Sequence, residues 1–259
     1  MNQTERRQYL IRALLDEQPQ YRRITIPSDE AEQRQLLRGL FNVRMPGRIG
    51  DEFLRIQDEY LQEVTRQKGV TRLRDLTPME PGIYLWQGDI TTLVCDAIVN
   101  AANAGMTGCY QPCHNCIDNC IHTYAGVQLR NVCAEIMEKQ GYEEPTGRAK
   151  ITPAFNLPSR YVIHTVGPIW HGGSSGEPKL LANCYKNSLL LAQNYSIRRI
   201  AFPSISTGVY AYPVDKAAEI AIGTVRELMR SMESSFDLVE WCLFDDRTYS
   251  AYEKVLNPF

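Results

Sequence analysis

The sequence has 259 residues and a mass of 29.5 kDa, which suits one globular domain with an extension, or one domain plus a small one. Its 44% hydrophobic and 22% charged residues exclude wholesale disorder. A net charge of −2 excludes a surface built to neutralise many phosphates, and with it general nucleic-acid binding.

A local site for one phosphorylated ligand stays open, because backbone N–H groups hold a phosphate without any net charge. No run approaches the ~18 apolar residues of a membrane-spanning helix, so no membrane association is expected. The N-terminal MNQTERRQYLIRALLDEQPQ carries charges of both signs and no apolar h-region, so it does not read as a secretory signal. The expected compartment is a reducing cytoplasm, where the eight cysteines are thiols or metal ligands.

Residues 1–70 read as a helical extension. Three segments have helical spacing: Tyr9, Leu10, Ala13 and Leu14; then Leu36, Leu37, Leu40 and Phe41; then Phe53, Ile56, Tyr60 and Val64. Each gives one apolar stripe on a charged surface. Asn2 with Glu5 forms a capping pair, and Ser28 precedes Asp29 and Glu30 in a first turn. Three such helices bury little alone, so they are expected to pack on the main domain. The stretch 67–82, QKGVTRLRDLTPMEPG, has two glycines and two prolines and reads as a connector.

Beyond it, strand-like and helix-like runs take turns. The strands are expected at Gly82–Gln87, Asp96–Ala101, Arg148–Ala154, Tyr161–Val166, Arg199–Pro203 and Leu238–Phe244. The helices are expected at Asp118–Gln140, Pro178–Gln193, Val214–Met232 and Arg247–Val255. This α/β alternation predicts a mainly parallel or mixed sheet covered on both faces, with ligands beyond the C-terminal ends of its strands.

Three loops fall at such ends. Gly88-Asp89-Ile90-Thr91 follows the first strand; a carboxylate there accepts hydrogen bonds from an exocyclic amine such as that of adenine, or simply caps a turn. Asn100-Ala101-Ala102-Asn103 ends an apolar strand; small residues admit a ligand to the backbone, and the amides offer donors and acceptors to sugar hydroxyls. The plainer reading is two asparagines satisfying loose backbone groups. Pro203-Ser204-Ile205-Ser206-Thr207-Gly208-Val209-Tyr210-Ala211-Tyr212-Pro213 joins a strand to the helix from Val214. It can present N–H groups to a diphosphate, with Tyr210 and Tyr212 walling a sugar.

GDIT, then NAAN about a dozen residues on, then PSISTGVYAYP about a hundred later, resembles the macrodomain family over residues 82–257. The resemblance implies a mixed sheet flanked by helices on both faces, with an ADP-ribose cleft at the top. By it, Asp89 with Ile90 holds the adenine, and Ser206, Thr207, Gly208 and Val209 cradle the diphosphate. Tyr210 faces the distal ribose, Asn100 and Asn103 serve its hydroxyls, and Phe244 stacks near the adenine.

The chain departs from the hydrolytic members after NAAN. Their glycine run gives way to Gly108-Cys109-Tyr110-Gln111-Pro112-Cys113-His114-Asn115-Cys116, ahead of Asp118-Asn119-Cys120-Ile121-His122. Four of the eight cysteines and two of the four histidines thus lie in a 14-residue span, a density that points to zinc. Buried thiols in a core are the plain alternative. Cys120 and His122 fall in the helix after Asp118, with Ile117, Ile121, Ala125, Leu129, Val132 and Ile136 as its buried stripe. That leaves Cys109, His114 and Cys116, with Cys113 as rival. This C-x4-H-x-C loop resembles the zinc-dependent microbial branch of the family. One Zn²⁺ per chain with three ligands keeps an open position, as catalytic sites do, whereas Cys113 as a fourth ligand makes the site structural.

The resemblance implies hydrolytic removal of mono-ADP-ribose from modified proteins, with a lipoyl carrier protein as a possible partner by resemblance only. Asp118 and Asn103 are the expected catalytic residues. Two roles fit zinc, a Lewis acid or an activator of water. The alternatives are a reader module without chemistry, and deacetylation of O-acetyl-ADP-ribose.

Overall fold

A computed structural model describes residues 1–72, 76–231 and 236–257; the predicted helix end at Met232 and positions 73–75 of the connector lie outside the described residues. Three helices open the chain: α1 (Gln3–Glu17), α2 (Glu30–Val43) and α3 (Asp51–Lys68). Asn2 and Glu5 cap α1 reciprocally, at 2.9 and 2.8 Å. Asp29, not Ser28, caps α2, accepting from the Glu32 N–H at 2.9 Å. The three stripes close on one another through Leu10, Ile11, Leu37, Phe41, Phe53 and Ile56. Val127, from beyond the connector, completes this core and ties the extension to the sheet domain.

The remaining elements are β1 (Thr71–Arg72), β2 (Pro78–Glu80), β3 (Ile83–Gln87), β4 (Leu93–Val94), β5 (Ala97–Ala102), α4 (Ile117–Ala125), α5 (Val127–Gln140), β6 (Ala149–Pro153), β7 (Tyr161–Val166), α6 (Glu177–Asn194), β8 (Arg199–Phe202), α7 (Val214–Ser231), β9 (Leu238–Leu243) and α8 (Asp246–Leu256). Short β1 and β4 pair with each other. The main sheet runs β2-β3-β9-β8-β5-β7-β6, parallel except for its two outer strands. It is the expected mixed sheet with helices on both faces.

Strand periodicity divides the core. Val239, Trp241 and Leu243 of β9 face α6, α7 and α8, while Leu238 and Cys242 face the layer of Ile121, Leu129 and Cys133 from α4 and α5. Asp96 pins the start of β5, accepting from the backbone N–H groups of Arg198 and Arg199 at 3.0 and 2.9 Å.

The single helix expected over 118–140 is two helices. Gly126, at φ +96°, separates α4 from α5. The break rotates the later stripe, so Cys133 is buried where Val132 and Ile136 were expected and these are only half-buried. Because β3, β5, β8 and β9 run parallel, Gly88, Asn103, Pro203 and Phe244 emerge along one edge of the sheet.

Candidate active site and metal centre

A cleft of about 930 Å³ lies over that edge. At one end stands Asp89, which caps the turn Ile90–Thr92. Its Oδ1 accepts from Thr91 N and Oγ1 at 2.9 and 2.6 Å, and its Oδ2 faces Lys68 Nζ at 2.9 Å. Burial works to raise its pKa, but the bonds from Thr91 and Lys68 outweigh it and hold the carboxyl below its ordinary range. Asp89 thus serves both as a turn cap and as an anion on the cleft wall. Ile90 is buried beneath it, and Phe244 stands on the rim, 81% exposed.

Ser206, Thr207, Gly208, Val209 and Tyr210 also line the cleft. Ser206 takes a left-handed φ of 67°, and Thr207 Oγ1 ties back to the Ser204 carbonyl at 3.0 Å. Tyr212 does not wall the cleft. It is buried against the Trp170 ring, 4.5 Å between centroids; its alternate position in the loop turns it into the core.

Asp118 opens α4 in the floor, 5% exposed. Asn100 Nδ2 donates to its Oδ1 at 2.8 Å and Asn103 Nδ2 approaches its Oδ2 at 3.3 Å. Burial pushes its pKa up to about 6, against the pull of the Asn100 hydrogen bond and the Arg130 charge. Asn100 itself is fully buried and does not line the cleft. In β5 it stands in register with His164 of β7, whose Nδ1 lies 3.1 Å from its Nδ2. His164 meets Thr152 Oγ1 on its other side at 3.0 Å. His122 Nε2 lies 3.6 Å from Asp118 Oδ1, but burial holds the ring well below its usual pKa, so it is a neutral neighbour and no ion pair. Gly108, at φ +86°, lets the backbone lie flat on this ring; a Cβ there would come within 2.7 Å of it.

Beside Asp118, ligand atoms of Cys109, His114 and Cys116 all lie within 4.8 Å of one another. Cys109 Sγ is 3.6 Å from His114 Nδ1. Burial, with the Cys109 thiol adjacent, pushes the Cys116 thiol up to about 12. Two sulfurs with one imidazole form a donor set suited to zinc. Cys113 stands apart, at φ 56°, with its thiol donating to the Gln35 carbonyl at 3.3 Å and its N–H to Asn42 Oδ1 at 2.8 Å. Cys120 Sγ lies 3.6 Å from Arg38.

Three cleft residues carry no signal in the sequence. Arg38 and Lys68 come from the extension, and Tyr124 lies under Lys68, whose Nζ is 3.4 Å from its ring centroid. A lone basic residue on an amphipathic helix reads as solvated surface, and only the docking of α2 and α3 turns these two inward.

The profile of the Macro domain family matches residues 99–221. A protein named "Protein-ADP-ribose hydrolase" from Treponema medium is 55% identical over 262 residues, covering 99% of this chain and 100% of that one. A macrodomain mutant of Oceanobacillus iheyensis with ADPR is similar at TM-score 0.64 and 40% identity, over 71% of this chain and 96% of that one. A Trypanosoma brucei macrodomain in complex with ADP-ribose is similar at TM-score 0.65 and 29% identity, over 88% of this chain and 96% of that one.

Proposed function

Because the chain belongs to the Macro domain family, we propose that its cleft binds ADP-ribose and that it hydrolyses the bond joining ADP-ribose to a modified protein, with one zinc ion held by Cys109, His114 and Cys116. The observation that carries this reading is the convergence of a buried carboxylate, Asp118, and a three-ligand group in one cleft wide enough for a dinucleotide-sized ligand. The hydrolase name of the Treponema relative and the bound ligands of the two similar structures support it. None of the eight cysteines is joined in a disulfide, which fits a cytoplasmic chain.

The residues divide the work along the cleft. Asp89, kept ionised, accepts from the adenine amine at one end. Residues 206–209 turn their backbone toward the diphosphate. Tyr210 and Asn103 then hold the distal ribose, leaving its anomeric carbon over Asp118. Held by Asn100 and Asn103, Asp118 orients the attacking water and takes its proton. The new C–O bond forms as the bond from the anomeric carbon to the side chain breaks, and the departing side chain takes up the proton that Asp118 accepted from the water. Products are free ADP-ribose and the unmodified protein. A zinc ion held by Cys109, His114 and Cys116 would supply Lewis-acid stabilisation of the negative charge that develops on the departing group.

The test is turnover. Purified protein is incubated with mono-ADP-ribosylated protein, a lipoyl carrier protein among the substrates, and separately with O-acetyl-ADP-ribose. Release of ADP-ribose from protein, slowed strongly by Asp89→Ala, is expected. Saturable ADP-ribose binding with no turnover of any substrate would make the chain a reader.

A further inference from the structure

The loop that carries the three ligands has no sheet ladder to define it. It contains Pro112 and a left-handed Cys113, and its shape is held from outside. Much of that hold comes from one side chain of the extension. Arg38, on α2, sends Nη2 to the His114 carbonyl oxygen at 2.8 Å and to Asn119 Oδ1 at 3.3 Å.

Asn119 is fully buried and carries the grip onward. Its Nδ2 donates to the carbonyl oxygens of Gln111 at 2.9 Å and Cys109 at 3.3 Å. Its backbone N–H points at Cys116 Sγ at 3.4 Å. Arg38 and Asn119 together therefore reach the backbone of His114 through the guanidinium, the backbone of Cys109 through the Asn119 side-chain amide, and the sulfur of Cys116 through the Asn119 backbone N–H. Arg38 supplies a donor to Asn119 Oδ1, which fixes which way that amide faces.

We propose that Arg38 is a positioning residue for the metal centre, and that α2 thereby sets the zinc affinity of Cys109, His114 and Cys116. The inference rests on the proposed zinc site. Groups that hold metal ligands in place typically contribute about 10–100-fold in metal affinity. Arg38 acts on the backbone and on Asn119, not on the ion, so its loss should weaken binding without emptying the loop of ligands.

The experiment measures zinc affinity by competition with a chromogenic chelator, using the full chain and three variants. Arg38→Met keeps the aliphatic stem and removes the donors. Arg38→Lys keeps the charge and one reach. Arg34→Met, one turn earlier on α2 and exposed, controls for changes to the helix itself. Thermal unfolding of each metal-free protein is recorded alongside. R38M should bind zinc about 10–100-fold more weakly than wild type, R38K should fall between, and R34M should match wild type. Unchanged affinity in R38M overturns the inference, as does an equal loss in R34M. A wild-type chain that binds no zinc overturns the zinc reading first, and is told apart because no variant then has an affinity to lose.

Discussion

Asp118 is a carboxylate that the fold keeps dry and aimed. Two asparagines hold its two oxygens, and the nearer of them, Asn100, is braced by His164, whose other ring nitrogen meets Thr152. Asp118→Ala should slow release of ADP-ribose by about 10²–10⁴, the usual contribution of a placed acid/base group, while zinc content by elemental analysis stays near that of wild type. Undiminished release would remove the carboxylate from the chemistry. Glu240 is a different case. It is fully buried in β9, neither oxygen has a hydrogen-bond partner among the described residues, and burial pushes its pKa up to about 8. Its raised folded-state value means stability is fully present below the ordinary carboxylate range and is lost as pH rises through about 8. Thermal unfolding should therefore show a lower Tm at pH 9 than at pH 6, and Glu240→Gln should flatten that part of the profile. An E240Q profile that keeps the same fall would assign it to other groups.

At the level of elements, the break between α4 and α5 shows what the sequence could and could not convey. Period-3.6 spacing marks a helix on either side of Gly126, and one glycine inside such a pattern does not announce a break. The break depends on α3, whose Gln57 Oε1 accepts from the Val127 N–H at 2.9 Å and satisfies the start of α5. That partner is 70 residues away in the chain, so local pattern does not reveal it. Gly126→Ala would force a positive φ on alanine and bring its Cβ within 2.7 Å of Gln57 Nε2. A loss of roughly 1–3 kcal/mol in unfolding free energy is expected, measured by urea denaturation; a stability equal to wild type would mean the helices re-form as one. The same limit applies to the cleft. Asp89, Asn103, Asp118 and Tyr210 were legible because loops at parallel strand ends collect on one edge. Asn100 was legible as a polar residue at a strand end but not as a brace under Asp118, since that depends on its register with His164. Arg38 and Lys68 become cleft residues only through helix docking.

For the whole molecule, the extension and the sheet domain are joined by polar contacts as well as by Val127. Arg130 of α5 donates to the carbonyl oxygens of Phe41, Asn42 and Arg44, closing the C-terminal end of α2 at 3.2, 2.7 and 2.6 Å. Asn42 holds Cys113 from the same end of α2. Cleft, the Cys109–Cys116 loop and the extension are thus connected through one set of contacts. The most direct measurement follows free ADP-ribose released from a mono-ADP-ribosylated protein by enzyme as purified, by enzyme stripped with a chelator and shown to be folded, and by the stripped enzyme given back Zn²⁺. Release, loss of release and recovery are expected in that order. Full release by folded, metal-free enzyme would contradict a catalytic zinc and leave the chemistry to Asp118 and substrate positioning alone.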